Sequence, residues 1–281
     1  MVIALLGSPF SPAYAEAREQ ERDVDPLDFS AFNVCLQRGR TTDWALTERP
    51  AHAVTRTRSS LAIGSTSMRW ERDALVLEID ERTAPWRSRL RGRVVFRPTL
   101  PGLADPIALD GAGVHHWRPV APLGHVEARF STPGCSFQGT GYLDTNDGGE
   151  PLEEGFSSWS WARTSDGKRV RITYDVHTRD RRELEHGFVL DESGARPFAG
   201  RVGRALRRTA FGLRRPLRVA AGETPRLLRT LEDGPFYARS AVEIARPHQS
   251  TLVGVHETMS LDRLASRLVR FLIPFRARRE A

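Results

Sequence analysis

The sequence predicts an all-β fold, a sandwich or barrel built from many short strands with few short helices. Alternating apolar and polar residues recur in short runs, as in strands with one buried face. Glycine and proline, 23 and 18 of 281 residues, are spread along the chain as turn formers. The long helices that alternate with strands in a doubly wound sheet are missing from the pattern. A chain of this length can form one large domain or two ordinary ones.

The opening segment is expected to form a β-strand rather than a signal peptide. Its apolar run, 2–6, has five residues and no lysine or arginine before it, whereas a signal core needs about 7 to 15 apolar residues. The triplet Ala13-Tyr14-Ala15 therefore only imitates a cleavage site. We expect the protein on the cytoplasmic side and not secreted.

Further strands are predicted along the rest of the chain. The clearest is 170–176, whose even-numbered positions are apolar or aromatic and which follows an Asp166-Gly167 turn. Similar composition predicts strands at 75–79, 91–98, 125–130, 135–144, 183–191, 228–232, 238–244 and 252–259. The polar stretch 145–155 (TNDGGEPLEEG) is the best candidate boundary, and it divides the chain into domains 1–155 and 156–281.

Two basic segments lie in the second half of the chain. Residues 261–275 place apolar side chains at helical spacing, with arginines elsewhere around the turn and Pro274 as the end of the helix. Such a helix either closes one end of a barrel or lies on an anionic membrane. Residues 201–218 (RVGRALRRTAFGLRRPLR) are expected to form a solvated loop or a short helix.

The net charge of +7 and the pI of about 10.3 favour an acidic partner. Nucleic acid is not the expected partner, because the sequence has no strand motif that combines aromatic and basic residues. An anionic membrane surface remains. No window of 18 apolar residues is present, so the sequence predicts no membrane-spanning helix.

The known cofactor and nucleophile motifs are absent from the sequence. It contains no Gly-x-Ser-x-Gly, Walker loop, dinucleotide fingerprint or His-Glu-x-x-His, and no ligand spacing that would support a zinc site. We therefore expect no cofactor and no metal. What remains is a concentration of aromatic, histidine and acidic residues between 115 and 161.

Tyr142 and Asp144 are two positions apart on a predicted strand, so both side chains lie on one face of the sheet. If that face is buried, the pKa of Asp144 rises and the carboxyl can stay protonated near neutrality as a proton donor. Alternatively, Asp144 makes a turn with Thr145 and Asn146 at the end of the strand.

His115 and Trp117 show the same spacing and share a face if 114–118 is extended. A histidine in a pocket can shuttle a proton, and the face of a tryptophan attracts positive charge. The alternative is a core histidine packed beside a core tryptophan.

Three segments carry a resemblance to a known family: GTGYLDTNDGGEPLEEGFSSWSWAR at 139–163, RTLEDGPFYARS at 229–240 and VHETMSLDRLASRLVRFLIPFR at 255–276. They resemble the carotenoid 1,2-hydratases, or hydroxyneurosporene synthases, of phototrophic bacteria. The resemblance implies a tandem pair of lipocalin-like β-barrel domains, the first carrying the active site. It also implies peripheral attachment to the photosynthetic inner membrane and cofactor-independent hydration of acyclic carotenes such as neurosporene and lycopene.

The family's His-x-Trp and Tyr-x-Asp pairs fall on His115, Trp117, Tyr142 and Asp144. Hydration of the C1=C2 double bond at the acyclic ψ-end would then use Asp144 to protonate C2, while Trp117 and Tyr142 face the cation that develops at C1. His115 would position Asp144 or the attacking water, or return the proton. Two alternatives remain open: a non-catalytic lipocalin-like protein that binds an isoprenoid, and a pericyclase of the same double-barrel fold.

Overall fold

The structure, a computed structural model, describes residues 1–20 and 24–280 and consists mainly of β-strands. The prediction of an all-β chain with few short helices is therefore confirmed. In the first half of the chain, the strands are β1 (Val2–Leu5), β2 (Ser30–Arg38), β3 (Thr41–Arg49), β4 (Val54–Arg56), β5 (Ser60–Ile63), β6 (Thr66–Glu71), β7 (Ala74–Arg82), β8 (Arg89–Leu100), β9 (Ile107–Ala108), β10 (His115–Thr132) and β11 (Cys135–Gly148).

In the second half, the strands are β12 (Phe156–Ser165), β13 (Val170–Thr178), β14 (Glu183–Asp191), β15 (Gly194–Pro197), β16 (Arg201–Val202), β17 (Arg218–Val219), β18 (Thr224–Asp233), β19 (Tyr237–Ala245), β20 (Leu252–Ser260) and β21 (Arg278–Arg279). The helices are short: α1 (Pro12–Gln20), α2 (Leu152–Gly155), α3 (Leu261–Leu264) and α4 (Arg267–Leu272). Among the described residues, none of them is long and apolar enough to cross a membrane.

The strands form sheets whose order leaves free edges. The three larger sheets run β1-β2-β3-β21, β11-β10-β8-β7-β6-β5-β4 with β9 on β10, and β15-β14-β13-β12-β20-β19-β18. Strands β16 and β17 form a separate ribbon. Within the described residues the sheets do not close into the barrels that the sequence led us to expect.

The chain divides into two compact units, and neither is a continuous segment. The first comprises Met1–Thr99, Gly124–Gly141 and Arg270–Ala281, and the second comprises Leu100–Leu123 and Tyr142–Val269. This division differs from the predicted boundary at residue 155. The physical reason is that β10 and β11 are long strands that contribute residues to both units, and the supposed linker 145–155 continues β11 to Gly148 and then forms α2.

In the first unit, the opening strand is confirmed: β1 pairs antiparallel with β2, with Val2 opposite Val34. The periodicity analysis did not identify α1, β2 or β3. Strand β2 is buried on both faces from Ser30 to Leu36, and therefore shows no alternation of apolar and polar residues.

In the second unit, the predicted ribbon β12–β13 is confirmed, with Gly167 at a φ of +92° in its turn. The polar face of the β12–β13 ribbon is also buried. Arg218 is 2% exposed and forms an ion pair of 2.6 Å with Asp175 on β13. Most of the basic stretch 201–218 is nevertheless the solvated loop that was expected, because residues 203–217 form no regular element and five arginines are exposed: Arg201, Arg204, Arg207, Arg208 and Arg214. Arg215 and Arg218 are the exceptions, since both are buried.

The C-terminal segment is helical, as predicted, but it is not one helix. Two short helices, α3 and α4, flank a break at 265–266, and a 3-10 turn over Ile273–Phe275 contains Pro274. Leu268 and Phe271 of α4 are 68% and 67% exposed. The apolar positions that predicted a buried face are thus partly open to solvent.

Candidate active site

Three of the four predicted site residues meet in the second unit. The indole Nε1 of Trp117, near the start of β10, donates a hydrogen bond of 3.0 Å to Oδ2 of Asp144. The hydroxyl of Tyr142, two residues before Asp144 on β11, donates to the same oxygen at 3.1 Å. Because β11 continues to Gly148, Asp144 lies inside a strand and not at the turn that the alternative reading required.

The environment of the Asp144 carboxyl favours its protonated form. Burial raises its pKa above the ordinary 3.8, and the hydrogen bonds from Trp117 and Tyr142 offset only part of that effect. Burial also raises the pKa of Tyr142 well above its ordinary value, and the charge of Asp144 adds to the increase. Tyr142 therefore stays a neutral donor at any physiological pH.

Aromatic rings surround this carboxyl. Trp117, which is fully buried, packs edge-on against Tyr174 with 5.3 Å between ring centroids. The Tyr142 ring lies 5.2 Å from that of Trp161. Trp159 extends the cluster, at 5.8 Å from Tyr174. The site thus combines one desolvated carboxyl with several π-faces, an arrangement that can stabilise a cation away from water.

Three of these rings, Trp159, Trp161 and Tyr174, stand on one face of the seven-stranded sheet. Trp161 on β12 lies directly opposite Tyr174 on β13 and Glu257 on β20, and directly paired residues project to the same face. Arg239 on β19 lies opposite Glu257 and extends the row. A second carboxyl, Glu257, therefore shares the face that carries the aromatic cluster.

His115 belongs to a different set of contacts. Its ring is 2% exposed and lies 4.6 Å from the Phe156 ring, and Nε2 is 3.4 Å from Oε1 of Glu150. A Cβ atom added at Gly148 would come within 2.3 Å of Nδ1, and one at Gly155 within 2.7 Å of Nε2. The backbone of both glycines therefore packs tightly against the imidazole, and the structure gives His115 neighbours other than Asp144.

His116, which follows on β10, projects to the opposite face and lies 3.4 Å from the exposed carboxylate of Asp147. Over the ranges 1–20 and 24–280, no group of three His, Cys, Asp or Glu side chains is placed to hold a metal ion.

Sequence reasoning did not select Glu257 or Tyr174 as a site residue. One signal for Glu257 was present. It shares a face with Val255 and Met259 on a predicted strand, so a carboxyl interrupts an apolar face. Tyr174 was assigned to a buried face but treated as core. Only the pairing of strands distant in sequence brings both residues to the site.

Comparison with known proteins identifies the family. The model of the carotenoid hydratase family CrtC matches residues 2–281. The chain belongs to the carotenoid hydratase family CrtC. It is 39% identical over 278 residues to the acyclic carotenoid 1,2-hydratase of Thiocapsa roseopersicina, covering 98% of this chain and 68% of that protein. It is 34% identical to that of Rubrivivax gelatinosus (99% and 69% covered) and 32% identical to that of Cereibacter sphaeroides (99% and 98% covered).

Solved structures show the same fold as this carotenoid hydratase at low sequence identity. A putative AttH protein of Nitrosomonas europaea matches with a TM-score of 0.60 at 16% identity, over 82% of this chain and 81% of that one. CghA in complex with Sch210972 matches with a TM-score of 0.50 at 12% identity, over 83% and 80%. The lipocalin-like all-β class predicted for the hydratase is therefore confirmed.

The raised pKa of Asp144 has a measurable effect on the stability of the hydratase. The pKa of the Asp144 carboxyl is higher in the folded chain than in the unfolded chain. The free energy of unfolding therefore falls as the pH rises between these two pKa values, and it stays lower at higher pH. The side chain of Asp144→Asn cannot ionise, but its amide oxygen can still accept the hydrogen bonds of Trp117 and Tyr142. We expect its free energy of unfolding, relative to wild type, to be higher at pH 8 than at pH 4, measured by urea denaturation.

Asp105→Asn is the control, because Asp105 is exposed to solvent. Its free energy of unfolding should stay within about 0.5 kcal/mol of the wild type at both pH values, as is usual for substitutions at exposed positions. An Asp144→Asn difference that is the same at pH 4 and pH 8 would show that the carboxyl ionises at its ordinary pKa.

Proposed function

We propose that this hydratase adds water across the C1=C2 double bond at the acyclic ψ-end of a carotene such as neurosporene or lycopene, giving a 1-hydroxy carotenoid. The observation that carries the proposal is a desolvated Asp144 carboxyl held by Trp117 and Tyr142 inside an aromatic cluster. The names of the relatives from Thiocapsa roseopersicina and Rubrivivax gelatinosus support the same reaction.

The hydrogen bonds indicate which oxygen of Asp144 carries the acidic proton. Trp117 and Tyr142 both donate to Oδ2, and the Asn146 side chain and the Asp144 backbone N–H are further donors to the carboxyl. We place the acidic proton on Oδ1, from which it is delivered to C2. The π electrons of the double bond form the new C2–H bond, and the positive charge develops at C1, the carbon that bears two methyl groups. Water then forms the C1–O bond and loses a proton.

The same two donors have a second effect during the reaction. Once Asp144 has lost its proton, the Trp117 and Tyr142 hydrogen bonds stabilise the carboxylate that remains. Their ring faces are available to the cation at C1, each interaction contributing about 0.5 to 2 kcal/mol. Trp117 and Tyr142 therefore stabilise both the Asp144 carboxylate and the carotene cation.

His115 acts in this proposal as a positioning residue. It lies two residues before Trp117 on β10, and its ring is packed against Gly148 and Gly155. The imidazole thus anchors the start of β10 and fixes the direction of the Trp117 indole, without contacting the reacting atoms.

A non-catalytic isoprenoid carrier is less well supported. An apolar ligand gains nothing from a carboxyl in its pocket. Burying a carboxyl also costs free energy, and a carrier has no chemical step that requires one. The desolvated Asp144 therefore favours catalysis over storage.

Asp144→Asn should lower the rate of hydroxylated carotene formation by about 100-fold or more, because the amide cannot supply the proton. The measurement is product formed from lycopene or neurosporene in liposomes by the purified protein. Asp147→Asn, which removes an exposed carboxyl from the same strand, should retain the wild-type rate. Wild-type turnover by Asp144→Asn would exclude Asp144 as the acid.

Trp117→Phe keeps a large ring but removes the Nε1 donor. Because that hydrogen bond lowers the pKa of Asp144, its loss should raise this pKa and move the alkaline limb of the pH–rate profile to higher pH. The rate should fall about tenfold, which corresponds to about 1.4 kcal/mol of lost transition-state stabilisation. Trp70→Phe, at a partly exposed tryptophan, is the control. An unchanged rate and an unchanged limb would contradict the role of Trp117.

We further propose that an aromatic and basic surface of the first unit attaches the enzyme peripherally to the inner membrane. Phe271 and Phe275 of the C-terminal segment are 67% and 62% exposed, and their rings contact each other at 5.6 Å. Trp86 is 87% exposed, and the neighbouring Pro85 carbonyl accepts a hydrogen bond of 3.3 Å from Arg278. Exposed aromatic rings beside arginines suit an anionic lipid surface.

A groove beside these residues supplies positive charge. Its volume is about 560 Å³, and the arginines that line it are Arg82, Arg87, Arg276, Arg278 and Arg279. Glu48 and Glu280 also line it. The excess of arginines can hold anionic headgroups while the rings enter the interface.

The triple variant Trp86→Ser, Phe271→Ser, Phe275→Ser should bind phosphatidylglycerol-containing liposomes at least tenfold more weakly, measured by flotation. The reason is that burial of each aromatic side chain contributes about 1.5 to 3 kcal/mol. Phe137→Ser, at an exposed phenylalanine on β11, should bind as the wild type does. Equal flotation of the triple variant and the wild type would place membrane contact elsewhere.

A further inference from the structure

Glu257 stands on the aromatic face of the seven-stranded sheet, opposite Trp161 on one neighbouring strand and Arg239 on the other. We infer that Glu257 is a second catalytic carboxyl, the base that removes a proton from the water that adds at C1. The inference rests on the proposed function and concerns the step after protonation of C2, in which the water that adds at C1 releases a proton to a base.

Glu257 and Asp144 face the same space. Trp161 lies opposite Glu257 in the sheet, and its ring contacts that of Tyr142, whose hydroxyl bonds to Asp144. On the other side, Tyr174 pairs with Trp161 and packs against Trp117. The rings of Trp117, Tyr142, Trp161 and Tyr174 therefore connect the two carboxyls through direct contacts.

Electrostatic interactions indicate that the two carboxyls are close. The charges of both raise the pKa of the Tyr174 hydroxyl, after burial as the largest cause. Burial raises the pKa of Glu257 to about 7, and the charge of Asp144 adds to the increase. Because the charge of each carboxyl opposes ionisation of the other, the two groups ionise one after the other, and the singly protonated pair contains both an acid and a base.

The other charged and titratable groups around Glu257 act in the opposite direction or are already paired. Arg239 and the Tyr237 hydroxyl both lower its pKa. Arg239 also pairs with Glu232 on β18 at 3.2 Å, and Glu232 slightly opposes ionisation of Glu257. Arg239 therefore acts on two carboxylates, Glu232 and Glu257.

A donor for the attacking water is also present. The indole Nε1 of Trp161 is buried beside the Tyr142 hydroxyl and makes no hydrogen bond of full geometry to a described residue. A buried N–H without a partner is costly, and a water molecule or substrate oxygen can satisfy it. Because Trp161 lies opposite Glu257, a water held by Nε1 can present its proton to the carboxylate.

The proton transfers balance in three steps. Asp144 gives its proton to C2, and the π electrons form the C2–H bond, leaving the cation at C1. The water oxygen forms the C1–O bond and Glu257 takes the proton that this water releases. The enzyme now carries the proton on Glu257, and its return to Asp144 restores the starting state with no net change in the enzyme.

The experiment compares Glu257→Gln with Glu243→Gln, which removes a carboxyl paired with Arg226 in the same sheet. With lycopene or neurosporene in liposomes, we expect kcat of Glu257→Gln to fall about 100-fold or more while KM changes less than threefold. The acidic limb of the wild-type pH–rate profile, near pH 7, should disappear. Glu257→Asp should restore part of the rate, and Glu243→Gln should match the wild type.

Azide separates the two carboxyls, because it adds to a cation at C1 without releasing a proton. With sodium azide present, Glu257→Gln should form a 1-azido carotenoid, since Asp144 still protonates C2. Asp144→Asn should form none, because it cannot donate to C2. The opposite pattern would exchange the two roles and overturn the inference.

Two further outcomes are decisive. If the wild type hydrates the carotene and Glu257→Gln does so at the same rate with the same pH profile, the inference fails and the proposed function stands. If the wild type forms no hydroxylated carotene from either substrate, the proposed function fails. Should Glu257→Gln not fold, Tyr237→Phe tests the same point: loss of its hydroxyl should move the acidic limb to higher pH, and an unmoved limb would contradict the role of Glu257.

Discussion

The structure of the site depends on one carboxyl oxygen that accepts two hydrogen bonds in a desolvated place. Oδ2 of Asp144 receives both the Trp117 indole N–H and the Tyr142 hydroxyl. Burial alone would raise the pKa of Asp144 further, and the two donors alone would lower it and leave the carboxyl ionised at neutral pH. The balance of the two gives a carboxyl that holds its proton and can also release it.

The surrounding fold supplies this balance through strand pairing. Antiparallel pairing places Tyr174, Trp161 and Glu257 side by side on one sheet face, although they are up to 96 positions apart in the sequence. The rings exclude water and remain available to a cation, while polar groups such as Asp175 and Arg218 pair with each other. Each face of β13 thus has a separate role, one towards the site and one towards structural ion pairs.

Much of the fold and of the candidate site could be predicted from the sequence. The rest could not be predicted, for physical reasons. Period-two spacing placed Tyr142 with Asp144 and His115 with Trp117, because a strand repeats every two residues. Local spacing could not show that the two pairs meet, that His115 packs against glycines instead of Asp144, or that Glu257 joins the site. Those facts depend on the pairing of distant strands. The boundary at 155 likewise rested on polar composition, which does not show that β10 and β11 contribute to two units.

The unequal use of the two Asp144 oxygens has a stereochemical consequence. If only Oδ1 delivers the proton, the double bond is approached from a single face, and C2 gains its new hydrogen in one prochiral position. The product does not reveal this choice, since C1 carries two identical methyl groups and no stereocentre is created. The hydratase thus protonates one face of the double bond. Only isotopic labelling of the CH2 group at C2 shows which face it is.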